Sequence, residues 1–347
     1  MPPKVPGGRW RLVIPVVLLG VAGFMVWWRG PDWHAVGHAF TRVQWAWVVA
    51  AIGLNLLSVV ARAACWNTCI KQAVPKPRPG FMLVFSAFCV GLLGNVVIPG
   101  RVGEVARVAV LARRMPDRQA AWGRLLGSVV AHRMFDLFPV TALVVWVVIA
   151  AGLPHWAITS IVIVLALSSA VLALTVLAAR RHQTSVRGEL GTIRNLLVQA
   201  RIGLAIMRRP VPAATAAAFQ SLGWLCQLFA VWTSMRAFNI HQPLTVAGVV
   251  LVLMNVATIF PLWPGNIGLL QAAIALPLRS YGVPYGKGFA FGIGLQAIEA
   301  SVGVGVGLIF LAREGLSIAT LREMPQEAPE LEASAEEHER ARAGVSG

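Results

Sequence analysis

Charged residues are scarce in this sequence. They make up 13% of the 347 residues, and apolar residues make up 57%. A soluble domain carries roughly 25% charged residues, and the mean hydropathy here is +0.70. This composition excludes a soluble enzyme, an intrinsically disordered protein and a secreted scaffold held by disulfides. It is typical of a polytopic membrane protein, in which about 20 apolar residues are enough for each span.

Acidic residues and cysteines are also few. Seven of the 14 acids lie in the last 25 residues, so residues 1–322 carry 28 lysines and arginines against seven acids. In a membrane protein such basic residues collect on cytoplasmic loops, so we do not expect nucleic acid as a partner. The cysteines lie in apolar stretches without histidine or carboxylate at metal-ligand spacing, so we expect buried thiols and neither a metal nor a cofactor. They are Cys65, Cys69, Cys89 and Cys226.

Long apolar runs dominate the chain, and we distinguish eight of them. Six are long enough to cross about 30 Å of hydrocarbon as a helix. The other two end in a Pro-Gly break and continue as a weaker apolar stretch, at 102–112 and 267–278, which predicts a broken or re-entrant helix pair in each place. The eight segments are 12–28, 45–66, 81–99, 125–150, 156–179, 211–236, 244–262 and 288–312.

The distribution of basic residues favours one topology. If 81–112 enters from the cytoplasm and returns, and 244–278 does the same from the other face, every connection rich in arginine falls on one side. The sequence therefore predicts an all-α membrane protein with six full spans and two re-entrant pairs in an inverted repeat, with both termini cytoplasmic. We divide it into an N-terminus 1–11, an integral membrane domain 12–315 and an acidic tail 316–347, which we expect to be disordered.

The two breaks resemble each other, which indicates an internal repeat. The first reads PGRVG, from Pro99 to Gly103, and the second reads PGNIG, from Pro264 to Gly268, 165 residues later. Three full spans separate the breaks, so the second unit is inverted relative to the first. Inverted repeats with discontinuous helices are typical of transporters, whose substrate site lies near the bilayer midplane. Chance is the alternative, in a chain with 33 glycines and 21 prolines.

At these residues the sequence resembles the membrane flippase domain of lysylphosphatidylglycerol synthases and its stand-alone relatives. The matching segments are 94–104 with Arg107, 131–136 and 260–268, and the resemblance runs from about residue 12 to 315. It implies a helical membrane domain that moves lipid between leaflets. Because we expect nothing folded after residue 315, the resemblance does not extend to the aminoacyl-transferase domain of the full-length synthases.

The sequence departs from the family pattern at two positions. His132 stands where the family usually has a glutamate before the arginine of the second motif. Leu270 and Gln271 stand where a glutamate usually follows the last glycine of the third. Both departures remove negative charge from the expected pathway, so a family role in binding cations or protons is not carried over to these positions.

Charged residues at membrane depth are candidates for the functional site, because an unpaired charge is costly there. Arg133 and Asp136 are three residues apart on one helix face and can form an ion pair. The pair either fixes helix packing only, or leaves Arg133 facing a cavity where its planar fork binds a lipid phosphate. Glu299 needs a partner, for which Arg133 or Arg101 is the obvious choice, or it couples protons. Arg62, near the end of its span, is expected to snorkel to the interface.

Three further charges follow the first break at three-residue spacing, Arg101, Glu104 and Arg107. The break opens a short helix, whose N-terminus suits an anion. The alternative is a solvated charge group at the membrane interface. The candidate substrate-binding residues are Arg101, Glu104, Arg107, Arg133, Asp136, Glu299, Asn95, Gly100, Gly103, Gly265, Asn266 and Gly268.

We therefore expect a lipid translocase of the bacterial inner membrane rather than an enzyme. The substrate is a phospholipid or lipid-linked amphiphile with an anionic, phosphate-bearing head group. The alternative is a non-catalytic subunit that presents lipid to a separate enzyme of glycolipid, aminoacyl-lipid or hopanoid assembly. An intramembrane transferase is disfavoured because the chain has no acidic metal-binding motif such as DxD. A homo-oligomer and a lipid-modifying enzyme stay open as partners.

Overall fold

The computed structural model describes residues 32–74, 78–97, 103–116, 118–150, 209–258, 266–317 and 319. Within these ranges the secondary structure is helical, with no strand, as the sequence predicts. Four of the six predicted full spans fall on described helices that are long and apolar enough to cross a membrane. The other two, 12–28 and 156–179, lie outside the described ranges, as does nearly all of the tail.

The described helices begin and end close to the predicted apolar runs. The exception is a short first helix that the hydropathy pattern does not reveal, because nine residues are too few for a span. It begins at Asp32, whose carboxylate accepts hydrogen bonds from the N–H groups of His34 and Ala35 at 2.9 and 3.3 Å. The helices are α1 Trp33–Thr41, α2 Trp45–Ala73, α3 Phe81–Val97, α4 Gly103–Ala112, α5 Arg118–Ala150, α6 Pro210–Ala237, α7 Leu244–Ala257, α8 Leu269–Arg279 and α9 Tyr285–Arg313.

Helices α2 and α6 pack antiparallel along their length and form the central pair of the bundle. At one end the N–H of Gln44 donates to the carbonyl oxygen of Ala237 at 2.9 Å. In the middle the Ser58 hydroxyl donates to the carbonyl oxygen of Gly223 at 2.7 Å. Residue numbers thus rise along α2 as they fall along α6, so the two helices run in opposite directions.

Helices α3 and α4 form the first of two helical hairpins. Gly103, where α4 begins, lies so close to α3 that a Cβ atom on it would overlap the carbonyl oxygen of Gly91. The Gly103 N–H donates to Asn95 Oδ1 at 2.9 Å. The chain therefore reverses direction between α3 and α4, as the first Pro-Gly break predicts. At the second break Asn266 Nδ2 donates to the carbonyl oxygen of Ala257, where α7 ends, at 3.1 Å.

The two hairpins lie at opposite ends of the bundle. The first shares a hydrophobic core with Trp66 near the end of α2 and Leu125 near the beginning of α5. The second shares a core with Met235 at the end of α6 and Phe289 at the beginning of α9. Because α2 and α6 are antiparallel, their C-terminal ends point in opposite directions, and each end carries its own hairpin.

The second half of the chain repeats the first at an offset of 165 residues, the separation of Ser58 from Gly223. With this offset α2, α3, α4 and α5 coincide closely with α6, α7, α8 and α9. The helix contacts are also paired: α3 with α4 corresponds to α7 with α8, and α9 with α3 corresponds to α5 with α7. A residue that touches its own equivalent lies beside the axis relating the halves. The helix order, the paired contacts and the antiparallel packing of α2 and α6 agree with the predicted inverted repeat, in which Ser58 and Gly223 are equivalent residues.

Candidate functional site

Three arginines and three carboxylates lie near the middle of the bundle. They come from four helices, α2, α4, α5 and α9, while α6 supplies neutral polar side chains that join them. When all six groups are ionised, their formal charges cancel. We call this group the central cluster, which consists of Arg62, Glu104, Arg107, Arg133, Asp136 and Glu299.

Glu104 lies between two guanidinium groups. Its Oε2 pairs with Nη2 of Arg107, one helical turn further along α4. Its Oε1 pairs with Nη2 of Arg133 on α5. The three-residue spacing that the sequence shows places the first pair on one helix face. The second pair depends on how α4 packs against α5, and it ties the first hairpin to that long helix.

Arg107 is enclosed by aromatic rings. Its side chain is only 4% exposed, and its guanidinium carbon lies 4.6 Å from the centre of the Trp66 ring and 5.4 Å from that of Phe88. A cation over an aromatic face is attracted by the ring's negative charge distribution. Trp66 and Phe88 come from α2 and α3, and nothing in the sequence near Arg107 indicates them. Arg107 thus faces protein and not an open surface.

Arg133 is the most exposed arginine of the central cluster, with 53% of its side chain accessible. Its Nη1 lies 3.1 Å from Oδ2 of Asp136, so the ion pair predicted from the three-residue spacing is present. The guanidinium therefore lies between two carboxylates, those of Glu104 and Asp136. Its partial exposure leaves room for a ligand to approach it.

Asp136 connects the two halves of the molecule. Its Oδ1 accepts hydrogen bonds from Gln220 Nε2 and, at 2.9 Å, from Trp224 Nε1, both on α6. Charged and neutral donors together hold this carboxylate in one orientation. Gln220 stands out in the sequence as a polar residue within a span, whereas the role of Trp224 depends on its position opposite α5.

Arg62 and Glu299 are joined through Gln227. Arg62 Nη2 donates to Gln227 Oε1, and Gln227 Nε2 donates to Glu299 Oε1 at 3.2 Å. The Arg62 guanidinium also lies 5.0 Å from the Trp224 ring centre. The expectation that Arg62 snorkels to the interface is therefore wrong, because the antiparallel pairing of α2 and α6 brings Gln227 beside it. The observed hydrogen-bond partner of Glu299 is Gln227 and not Arg133.

Two uncharged amides, those of Gln271 and Gln296, meet beside the second hairpin. The Gly268 N–H donates to Gln271 Oε1 at 2.6 Å, and Gln271 Nε2 donates to Gln296 Oε1 at 2.5 Å. Gly268 has φ of 90° and Asn266 has φ of 44°, so both adopt the left-handed backbone that the turn into α8 requires. The candidate residues Asn266 and Gly268 therefore shape the second hairpin, as Asn95 and Gly103 shape the first.

The remaining candidate residues lie outside the described ranges. They are Gly100, Arg101 and Gly265, next to the two breaks. His132, one of the two departures from the family pattern, is buried. The centre of its ring lies 5.9 Å from that of Phe88, in an edge-to-face arrangement. All four cysteines are buried and free, which confirms the prediction that they act as small apolar residues.

The fold and the site together define a multi-pass helical membrane protein with paired charged side chains packed between its helices. Residues 12–307 match the family described as the lysylphosphatidylglycerol synthase TM region. This match covers most of the chain, so the protein belongs to that family, and the family suggests a lipid-related function. Comparison with curated proteins and with solved structures gave no significant match.

Proposed function

We propose that the protein is a lipid translocase of the bacterial inner membrane rather than an enzyme. It moves a phospholipid or lipid-linked amphiphile with a phosphate-bearing head group between leaflets. The observation that supports this most strongly is the half-exposed side chain of Arg133 in the middle of an apolar bundle. A charge at this depth is costly and marks a substrate pathway by default. Membership of a lipid-related membrane family agrees with this function.

Phosphate is the ligand that suits Arg133. A guanidinium presents several N–H donors in one plane and can bind two phosphate oxygens at once. Two of its nitrogens contact Glu104 and Asp136, and the exposed part of the side chain remains for a ligand. A head group passing Arg133 exchanges one carboxylate for a phosphate, while the acyl chains stay in the surrounding lipid.

The balance of charges makes this binding reversible. An entering phosphate adds negative charge to a cluster that is otherwise neutral, so one carboxylate has to give up its contact with Arg133. Glu104 is the one we expect to move away, because Arg107 still holds its other oxygen. Transport requires binding that is favourable enough for entry and weak enough for release. Competition between Glu104 and the phosphate meets both requirements.

The other charged residues then have supporting roles. We assign Arg107 to holding Glu104 and Asp136 to orienting Arg133, because both make these contacts directly. The predicted phosphate contact of Arg101 and the proton-coupling role of Glu299 stay predictions. We also propose that the first hairpin enters the membrane from the cytoplasm and the second from the other side, with six full spans and both termini cytoplasmic.

Reconstitution into liposomes tests this function. We would incorporate fluorescent phosphatidylglycerol, quench it from outside and measure how fast it crosses the bilayer. Arg133→Gln should slow transfer by at least about tenfold, because it removes at least one charge-assisted hydrogen bond to the phosphate and such a bond contributes about this factor. Arg124→Gln is the matched control, since Arg124 is an exposed arginine on the same helix, α5. Arg133→Lys keeps the positive charge but lacks the planar guanidinium. Its transfer rate should therefore lie between those of Arg133→Gln and Arg124→Gln.

Two outcomes would count against the proposal. Well-folded protein that accelerates the transfer of no phosphate-bearing lipid would favour the alternative role, a subunit that presents lipid to a separate enzyme. Equal rates for Arg133→Gln and Arg124→Gln would show that Arg133 lies outside the pathway.

A further inference from the structure

Basic side chains also gather at the end of the bundle that carries the second hairpin. Asn239, with φ of 56°, connects three segments there. Its Nδ2 donates to the carbonyl oxygen of Arg42 at 2.8 Å, its N–H to that of Arg236 at 2.9 Å, and its own carbonyl accepts from Lys287 Nζ at 2.9 Å. We call Arg42, Arg236, Lys287 and the exposed His241 the Asn239 corner.

The charges of this corner are not neutralised by carboxylates. Within the described ranges none of the four side chains forms an ion pair with an acid, in contrast to Arg107 and Arg133 of the central cluster. The acid closest in the chain to Arg42 is Asp32, and its carboxylate caps the beginning of α1. The corner is therefore a positive site open to an anion.

The hydrogen bond between Arg236 and His241 shows which kind of group the corner presents. Arg236 Nη1 lies 2.8 Å from His241 Nδ1. Because a guanidinium only donates, Nδ1 of His241 accepts, and Nε2 is the ring nitrogen that can donate to a ligand. The corner thus offers donors from a guanidinium, an imidazole and an ammonium group. A ligand with several acceptor oxygens, such as a phosphate, matches this set.

Aromatic residues place the corner at the level of lipid head groups. The Arg236 guanidinium carbon lies 4.8 Å from the ring centre of Trp232, which meets Trp47 edge to face at 6.2 Å. Near this end Trp45 is 74% exposed and Trp33 is 50% exposed. Exposed tryptophans are typical of the membrane–water interface. At that level the phosphate of an anionic lipid head group lies within reach of basic side chains.

We infer that the Asn239 corner is a second binding site for the phosphate of an anionic phospholipid. It lies at the opposite end of the bundle from the first hairpin, separate from Arg133. Its purpose, to receive or release the head group on that leaflet, rests on the proposed function. The binding itself does not, since it depends only on the four basic side chains and the tryptophans beside them.

Native mass spectrometry of the full chain in detergent, titrated with phosphatidylglycerol, measures this binding. Arg236→Gln should weaken it about tenfold, as expected for a lost charge-assisted contact. Arg279→Gln is the matched control, because Arg279 is an exposed arginine at the same end, where α8 finishes. Arg42→Gln is a second variant that keeps the fold, because Asn239 contacts only the backbone of Arg42 there. All variants are also measured with Arg133→Gln, so that the central cluster does not contribute.

The result separates this site from the alternatives. Affinities of Arg236→Gln and Arg42→Gln equal to that of Arg279→Gln would overturn the inference. Full displacement of the lipid by millimolar inorganic phosphate would show a site for free anions, and would also overturn it. If the wild-type protein binds lipid at this corner but transfers none in liposomes, the proposed function fails while the binding site stands.

Discussion

Ser58 and Gly223, which are separated by 165 residues, touch each other where α2 packs against α6. The Ser58 hydroxyl donates to the Gly223 carbonyl at 2.7 Å. A Cβ atom on residue 223 would lie 2.8 Å from Cγ of Arg62, so the absence of a side chain there lets Arg62 lie against α6. This close packing brings polar residues of both halves together, and Arg62 reaches Gln227, which also lies 165 residues further along the chain.

The first hairpin depends on a close approach of two backbones. Gly103→Ala would make a Cβ atom overlap the carbonyl oxygen of Gly91, which cannot move aside like a flexible side chain. We expect a loss of about 1–3 kcal/mol or more in the free energy of unfolding, the usual range for overpacking. The measurement is detergent-based unfolding followed by tryptophan fluorescence. Gly305→Ala is the control, because a Cβ there meets nothing within 4 Å; equal stability of the two variants would contradict the close approach.

The pair of Glu104 and Arg107 should be strongly coupled. Glu104→Gln leaves the Arg107 guanidinium buried without a carboxylate, which costs about 3–5 kcal/mol. Combining it with Arg107→Met should recover part of the loss, so that the two changes are non-additive by more than about 1 kcal/mol. The same unfolding measurement gives this coupling energy.

An ion pair with one exposed partner, Arg114–Glu314, provides the comparison for that cycle. Arg114 lies 3.1 Å from Glu314, and its side chain is 55% exposed. Arg114→Gln should change the free energy of unfolding by no more than about 1 kcal/mol, because Arg114 is exposed and the Glu314 carboxylate, only 9% exposed, keeps its hydrogen bond from the Ser86 hydroxyl. Additive effects of Glu104→Gln and Arg107→Met would mean that the two side chains do not depend on each other.

The indole N–H of Trp224 should matter for transport. Trp224→Phe keeps an aromatic ring beside Arg62 but removes the 2.9 Å hydrogen bond to Asp136. We expect slower lipid transfer with a stability loss of about 1 kcal/mol, since Asp136 then orients Arg133 less well. Trp122→Phe makes the same change at a buried tryptophan whose N–H has no hydrogen-bond partner among the described residues. Its transfer rate should stay near that of the wild type, and similar losses in both would remove Trp224 from the mechanism.

Cysteine labelling tests the opposite placement of the hairpins. Ser280→Cys lies just after α8 and Arg113→Cys just after α4, both at exposed positions. We expect a membrane-impermeant maleimide to reach them from opposite sides, with position 280 outside the cytoplasm. The native cysteines are buried, so background labelling should be low. Labelling of both positions from one side would exclude the proposed topology.

The architecture could be predicted from the sequence to a large extent, because it depends on local properties of the chain. Apolar length predicts the long helices. The two Pro-Gly breaks predict the two hairpins, whose second helices begin at Gly103 and just after Gly268. The three-residue spacing of Arg133 and Asp136 predicts their ion pair, since neighbours on one helix face are fixed by helix geometry.

The partners between helices could not be predicted in this way. Trp66 beside Arg107, Trp224 beside Asp136 and Gln227 between Arg62 and Glu299 all join residues distant in the sequence. Their contacts depend on the register and angle at which helices pack, and these are set by all the side chains of an interface together. The sequence by itself therefore determined which charges lie within the membrane segments. Only the tertiary structure decided that Arg107 is enclosed while Arg133 stays open.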